Sequence, residues 1–419
     1  MSLSFETLPD DVIFEIALSY SLSTIFHFCQ TNKRFNNIIC NNNFFWQRKF
    51  NKDYLPITYT GNWKDLYINF LNVYTFGDNY SGQLGLGDYE YKYIPTKINN
   101  FKAKSVSTGP NSTFFIDLDN NVWSCGSNTY GQLGLGINYK SLERISIPTI
   151  IPQLKAKQVA SGLVHTIVID LDNNIWVFGS NVYGQLGLNS KNMVESSPIM
   201  IKDLKAKQVA TGWDHTVVID LNNNVWVFGR NDGGQLGIGN RDNKIMPTLI
   251  PDFKAKFVSC GMDYTILIDL DNKAWGCGMN DGGKLGLGDT NNRLVPTKIF
   301  DLDIILSSAG NNHTILIDNN NNVWGCGYNN KGQLGLGKNP MINVPTQIPN
   351  LKAKEVATGS KHTVIIDLEY NIWVFGSDQS GQLGTDDDEY HFTPVQLINM
   401  KAIKCAAGGE HTALLSTAV

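Results

Sequence analysis

From residue 73 onward the hydrophobic positions fall in short runs with no helical period. One stretch shows the pattern: HTIVID at residues 165–170, the polar turn Asp172-Asn173-Asn174, then IWVF at 175–178. β-Branched and aromatic residues dominate such runs. Asp and Asn suit the hairpin between them, because they tolerate left-handed backbone and bond their own main chain. An extended run at 157–161 comes before, with Gly162 permitting a tight bend. Residues 198–202 supply a fourth, outer strand, where Pro198 is tolerated. Four short strands of this kind predict one antiparallel blade.

The pattern recurs. Gly-Gln-Leu-Gly begins at Gly82, Gly131, Gly184, Gly234, Gly332 and Gly381, and Gly-Lys-Leu-Gly at Gly283, with spacings of 49, 53, 50, 49, 49 and 49 residues. A fixed period in this range marks a propeller or a solenoid, and strands without helices favour radial stacking of blades. An aromatic follows each hairpin (Tyr74, Trp123, Trp176, Trp226, Trp275, Trp324 and Trp373), placed to pack between neighbouring blades. The chain enters the repeat at residues 73–76, which match a third strand, and leaves after 402–416, which match a first and second. The two ends are expected to complete one shared blade, leaving a closed ring of seven and no exposed sheet edge.

The Gly-Gln-Leu-Gly loop, the Gly-x-x-His-Thr element and the aromatic-x-x-Gly strand together resemble the repeats of the regulator of chromosome condensation. The resemblance covers residues 73–416. It implies an all-β seven-bladed β-propeller of four-stranded antiparallel blades over 73–419.

The first seventy residues lack the period. Val12, Ile13, Ile16 and Ala17 are spaced for one helical face after Leu8-Pro9-Asp10-Asp11, with proline near the helix start and the acidic pair at the positive end of the dipole. Further helical segments are expected near 23–28 and 33–39, followed by Phe44-Phe45-Trp46. The order Leu-Pro-Asp-Asp-Val-Ile, then residues 29–35 (CQTNKRF), then Phe45-Trp46 resembles the F-box, and Trp63-Lys64-Asp65-Leu66-Tyr67 resembles the helix that often follows one. The expected organisation is an F-box-like helical domain at 1–50, a linker helix at 51–72 and the propeller. The resemblance implies docking to the small adaptor subunit of a cullin–RING ubiquitin ligase, with Leu8, Pro9, Val12, Ile13 and Ile16 as the apolar surface offered to it. A plain helical cap on the propeller is the rival reading.

Composition narrows the function classes. The net charge is −4 and 17% of residues are charged, so the basic excess of a typical nucleic-acid binder is missing. No apolar stretch is long enough to cross a bilayer, and no signal pattern opens the chain, so a cytoplasmic or nuclear location is expected. Seven cysteines without a CxxC pair indicate neither a disulfide framework nor a zinc ribbon. Abundant Asn, Ile and Lys fit an AT-rich genome, such as that of a protist or a large DNA virus.

Residues that tempt a catalytic reading recur once per unit. His165, His215, His313, His362 and His411 share one position, where Ser112 and Tyr264 stand in the other units. Groups spread one per blade cannot converge on a metal or a substrate, so each is expected to bond its own blade's backbone. Asp117, Asp170, Asp220, Asp269, Asp318 and Asp367 precede the hairpin turn and are expected as turn acceptors. No catalytic motif appears in a fitting context, and no enzyme activity, metal or cofactor is expected. The Lys-Ala-Lys series, beginning at Lys102, Lys155, Lys205, Lys254 and Lys352, reads as a solvated turn face, and residues 386–389 (DDDE) as a solvated acidic loop.

The residue before the His position varies: Asn111, Val164, Asp214, Asp263, Asn312, Lys361 and Glu410. Equivalent positions lie at one height around a ring. These residues, with Trp213, are therefore expected to form a partner-binding face at one end of the central channel. The founding member of the resembled family is an exchange factor for the small GTPase Ran, and Asp214 aligns with its essential acidic residue. The position of that family's important histidine falls in Gly310-Asn311-Asn312-His313, which has Asn. Its GTPase-prying insertion and its basic tail have no counterpart. A plant ultraviolet receptor of the same family uses several Gly-Trp-Arg-His-Thr copies, whereas only Trp213 stands at that place here. The leading expectation is a non-enzymatic substrate receptor binding an adaptor and an unknown target protein. Exchange on a Ran- or Rab-like GTPase, and a structural scaffold or virion component, are the alternatives.

Overall fold

The computed structural model describes residues 8–20, 22–53, 61–69, 71–136 and 142–418. Helices come first: α1 (Asp10–Leu18), α2 (Leu22–Thr31), α3 (Lys33–Phe35) continuing as a π-turn over Asn36–Cys40, α4 (Asn43–Asp53) and α5 (Trp63–Asn69). Among the described residues no helix is long and apolar enough to cross a membrane. Antiparallel strands then fill the chain, from β1 (Asn72–Gly77) and β2 (Lys92–Lys102) to His411–Ala418. This is a β-propeller with a small helical domain at its N-terminal end.

Each repeat unit pairs as the hydrophobic pattern predicts. His165–Asp170 lies between the end of Arg144–Ser161 and Asn174–Ser180, and Asn174–Ser180 pairs outward with Val194–Thr211. Outer strands run on into the inner strand of the following unit, so successive ladders join into one sheet of sixteen strands and one of seven. The joins break where strands are split, between Lys102 and Ser105 and between Lys352 and Glu355. The seven-stranded sheet unites the chain's two ends: β1 lies between β2 and His411–Ala418, with Val73 opposite Leu415 and Phe76 opposite Thr412. The shared unit expected from the sequence is present.

The loop motif has a physical basis in its own bonds. Gly184 stands at φ +81°, and a Cβ there would lie 2.5 Å from the Ile245 Cα of the following unit, so only glycine fits. Gln185 accepts the Tyr183 N–H through its side chain (2.8 Å), while its backbone carbonyl accepts the Thr216 hydroxyl (2.8 Å). Leu186 is fully buried, with its N–H on Asn181 Oδ1 (3.1 Å).

The histidines correct an expectation. They do not bond their own unit's backbone; each reaches the next unit's threonine. His165 meets Thr216, His215 Thr265, His313 Thr363 and His362 Thr412, each at 3.0 Å, and His411 meets Thr113 at 2.9 Å. Tyr264 continues the series by donating to the His313 carbonyl (2.7 Å), and Ser112 by meeting Ser161 (3.2 Å). Each threonine spends its hydroxyl proton on a loop carbonyl, so the imidazole Nε2 carries the hydrogen in these bonds. A belt of polar links thus joins every unit to the next.

The turn aspartates behave as expected. Asp170 accepts the N–H groups of Asp172 and Asn174, the Asn174 amide and the Trp176 indole N–H. The tryptophans are therefore half-buried, with one ring edge on this carboxylate and the rest against the adjoining unit's core. The Lys-Ala-Lys lysines are architectural as well: Lys155 donates to the Asp119 carbonyl (2.8 Å) and Lys157 to the Asn173 side chain, fastening each unit's junction to a hairpin turn.

The helical domain is not a loosely tethered appendage. Ile13, Ala17, Ile25, Phe35, Phe45, Trp46 and Phe50 belong to one buried cluster that continues through Trp63 and Tyr67 into the propeller residues Val73, Phe115, Ile403 and Leu415. Ala103 N–H bonds the Leu71 carbonyl (3.0 Å), and Lys102 Nζ bonds that of Ile68 (3.0 Å). Tyr370 stands at φ +69°, where sister hairpins have Asn, and its ring packs against Phe50 at 6.3 Å. Cys29 and Cys40 lie side by side within the helical domain, with Cα atoms 6.2 Å apart.

Candidate binding surfaces on the helical domain and the propeller face

The variable residues before the His position are assembled at one end of the strands. Four of them bond the loop of the unit before: Asp214 accepts from the Gln185 amide (3.2 Å), Asp263 from that of Gln235 (3.5 Å), Asn312 from Lys284 (3.1 Å), and Glu410 from the Ser380 hydroxyl (2.9 Å). Asn111 and Lys361 are exposed, and Lys361 Nζ lies 4.0 Å from Glu410. Val164, Trp213 and Asp214 are half-buried; Asp263 is buried, at 4% exposure. Trp213 reaches across the channel mouth, donating its indole N–H to Asn311 (3.2 Å), whose amide continues to Ser360 (2.7 Å). The walls around it are small residues such as Gly162, Gly212, Gly261, Gly310 and Gly359, so no cofactor-sized cavity opens there.

Electrostatics differ around this face. Burial raises the carboxyls of Asp214 and Asp263 above the usual range, against the pull of Arg230 on both. Arg230 bonds Asp232 (2.7 Å) and stands 3.7 Å from Asp263. A group of four carboxylates (Asp214, Asp232, Asp263 and Asp281) therefore shares Arg230 and Lys284. Beside it lies an aromatic arc: Tyr80 at 66%, Tyr130 at 44% and Tyr183 at 37% exposure, with Arg144 stacked on Tyr80 and Arg230 on Tyr183. Sequence reasoning missed these tyrosines and Asp232 and Asp281. The available signal was position: all stand one or two residues before a motif glycine, where nothing in the repeat fixes the side chain.

On the helical domain the expected adaptor surface is only partly available. Ile13 is 1% exposed and belongs to the domain core, and Leu8 packs half-buried against the same core. This corrects the assignment of Ile13: it shares its helix face with Ala17, which points inward. Pro9 and Val12 are exposed, and Ile16 is half-buried. The larger apolar feature is a groove formed by Phe14, Ile38 and Phe44, rimmed by Asp10, Asp11, Glu15 and Arg48. Phe44 is 60% exposed and stacks on Phe14 at 6.0 Å.

The two surfaces lie at opposite ends of the strands. The loops before the His position and the Gly-Gln-Leu-Gly loops share one end; the hairpin turns and Lys-Ala-Lys junctions, where Tyr370 and Ala103 meet the helices, share the other.

Residues 72–307 match the RCC1-like domain, more than half of the chain. The chain belongs to the RCC1-like family. Residues 320–366 and 371–415 of this RCC1-like protein match the regulator of chromosome condensation (RCC1) repeat, and residues 5–47 match the F-box domain. Among curated relatives, the human "Probable E3 ubiquitin-protein ligase HERC6" is 34% identical over 29% of this chain and 12% of its own length. The Arabidopsis thaliana "Ultraviolet-B receptor UVR8" is 37% identical over 27% of each. The matches thus span an eighth to about a quarter of these relatives. The crystal structure of Prp20p from Saccharomyces cerevisiae, a protein described with binding properties to Gsp1p and histones, shares the fold with a TM-score of 0.77 at 20% identity, over 89% of this chain and 95% of that one.

Proposed function

We propose that this RCC1-like protein is a non-enzymatic substrate receptor, acting in the cytoplasm or nucleus. Its F-box helices recruit a ubiquitin-ligase adaptor, and the far face of a closed seven-bladed propeller holds the protein to be modified. The observation that carries this reading is the single buried cluster joining an F-box domain to the propeller, with the variable loops at the opposite end of the strands. A receptor needs that arrangement: two separate surfaces held at a fixed distance. The inter-unit belt and the pairing of β1 with the last strand support the closed ring.

The test is co-purification of the full chain with the small adaptor subunit of a cullin–RING ligase. Val12→Asp combined with Phe44→Asp changes exposed positions only, and is expected to lower capture at least tenfold while leaving the thermal midpoint within a few degrees. Adaptor bound equally by both proteins, or by neither, overturns the reading.

A second reading is nucleotide exchange on a small GTPase, favoured by the half-buried Asp214 carboxylate beside Trp213 at the channel mouth. Stimulated nucleotide release from a panel of Ran- and Rab-like GTPases, lost in Asp214→Ala, is the expected result under it. Release that survives Asp214→Ala removes this mechanism.

A further inference from the structure

Three loop positions share one electrostatic plan in two of the sister units. In the first unit the Asn79 amide donates to Asp88 Oδ1 (2.9 Å), and Lys92 pairs with Asp88 Oδ2 (2.9 Å). In the fifth the Asn280 amide meets Asp289 (3.1 Å), and Arg293 pairs with Asp289 (2.6 Å). Each set is a neutral amide, one carboxylate and one permanent cation, with no net charge.

In the last unit the same three positions are Asp378, Asp387 and His391. The amide has become a second carboxylate, and the permanent cation has become an imidazole. Asp378 is fully buried, whereas Asp387 and His391 are partly exposed. The partners of Asp378 are neutral: Leu383 N–H (2.6 Å) and the Thr385 hydroxyl (2.6 Å). His391 Nε2 stands 3.0 Å from Asp387 Oδ1 and 3.4 Å from the Thr385 hydroxyl. One ligand atom from each of Asp378, Asp387 and His391 lies within 4.8 Å of the others. The acidic run at 386–389 is thus solvated at Asp386, Asp388 and Glu389 but turns Asp387 inward.

A buried carboxylate with no cation on it is costly, and a protein normally compensates it with an opposite charge or a metal. The replacement of Lys or Arg by imidazole removes the cation and supplies a nitrogen ligand in its place. We propose that Asp378, Asp387 and His391 bind one divalent transition-metal ion, with the Thr385 hydroxyl or water completing the shell. Two carboxylate oxygens and one imidazole nitrogen suit zinc and its neighbours; calcium and magnesium take all-oxygen sets. The ion takes the place of the missing lysine. It braces the loop against the unit before it, where Gly337 N–H already bonds the Phe392 carbonyl (2.9 Å) and Lys331 the Tyr390 hydroxyl (2.7 Å).

The test is zinc titration of the untagged, metal-stripped full chain by calorimetry, with thermal unfolding followed in parallel. The expected result is uptake of one Zn²⁺ per chain with a raised midpoint. Asp378→Asn and His391→Lys each restore the residue of the sister loops, so both are expected to fold, to bind this zinc at least a hundredfold more weakly and to show no zinc-dependent midpoint. An unaltered chain that takes up no Zn²⁺, or an Asp378→Asn protein that takes it up equally, overturns the proposal.

Discussion

Acidification from pH 7 to about pH 4.5 is expected to unfold this protein, with an uptake of about five protons. His165, His215, His313, His362 and His411 are each fully buried, with Nε2 on a threonine of the next unit and no hydrogen-bond partner at Nδ1. Burial depresses all five imidazoles to about 3. An unfolded histidine titrates near 6.5, so between those values the unfolded chain binds protons that the folded chain refuses. Stability is complete above the unfolded pKa and falls as pH drops through the window below it. Each histidine contributes a slope of about 1.4 kcal/mol per pH unit, and five approach about 7, so two pH units consume a typical total stability of about 5–15 kcal/mol. The turn carboxylates add to the loss only at lower pH. Burial would raise Asp117, Asp170 and Asp220, but the Trp indole, the Asn amide and two backbone N–H groups outweigh it and hold them low. Urea unfolding measured at successive pH values gives the proton count. His165→Tyr, which copies the arrangement at Tyr264, is expected to reduce it by one. A midpoint indifferent to pH between 7 and 5 would show that the belt is not neutral histidine.

The second large effect is at the chain's last strand. Removing residues 411–419 deletes the strand that lies between Tyr390–Ala407 and β1, along with the His411–Thr113 link. It also removes Leu414 and Leu415, both fully buried, the latter within the cluster shared with the helices. Two ladders lose their partner at once, and the strands left unpaired expose hydrophobic edges. The expected product is aggregated, without a cooperative melting transition. A graded version is Leu415→Ala, which is expected to cost about 2–5 kcal/mol as a cavity in a fixed core. A truncated chain that melts within a few degrees of the full protein would mean that closure by this strand is dispensable.

The architecture was legible because each unit repeats its own punctuation. Gly184, the hairpin Asn173 and the β-branched run at 165–170 name a strand order by themselves, and the complementary ends at 73–76 and 402–416 give the unit that they share. What escaped depended on contacts between units or between helices. Radial stacking sets His165 beside Thr216, fifty-one residues away, and nothing in either unit alone reveals that. On α1 the inward face runs through Ile13 and Ala17, not Val12 and Ile16; an apolar stripe four residues wide does not say which edge is buried. The adjacent pair Phe44 and Phe45 held a clearer clue, since neighbouring helical residues diverge and one ring must face out. At the propeller face the acidic and neutral variable positions were found, but the tyrosines beside them were not, because the equivalent residues of other units follow no pattern: Thr129, Asp232 and Asn330 match Tyr80, and Ser81, Gly233 and Lys331 match Tyr130 and Tyr183.

Tyr370 carries one more consequence. A propeller of near-identical units has rotational pseudosymmetry, and a helical domain could in principle dock beneath any of them. The tyrosine exists at one hairpin only, pinned between Phe50 and the Lys354 ammonium, while its sisters are asparagines. It acts as an index mark that clocks the helices to a single azimuth. Whatever settles on the far face over the aromatic arc or the acidic group is therefore held at a set bearing as well as a set height relative to the helical domain.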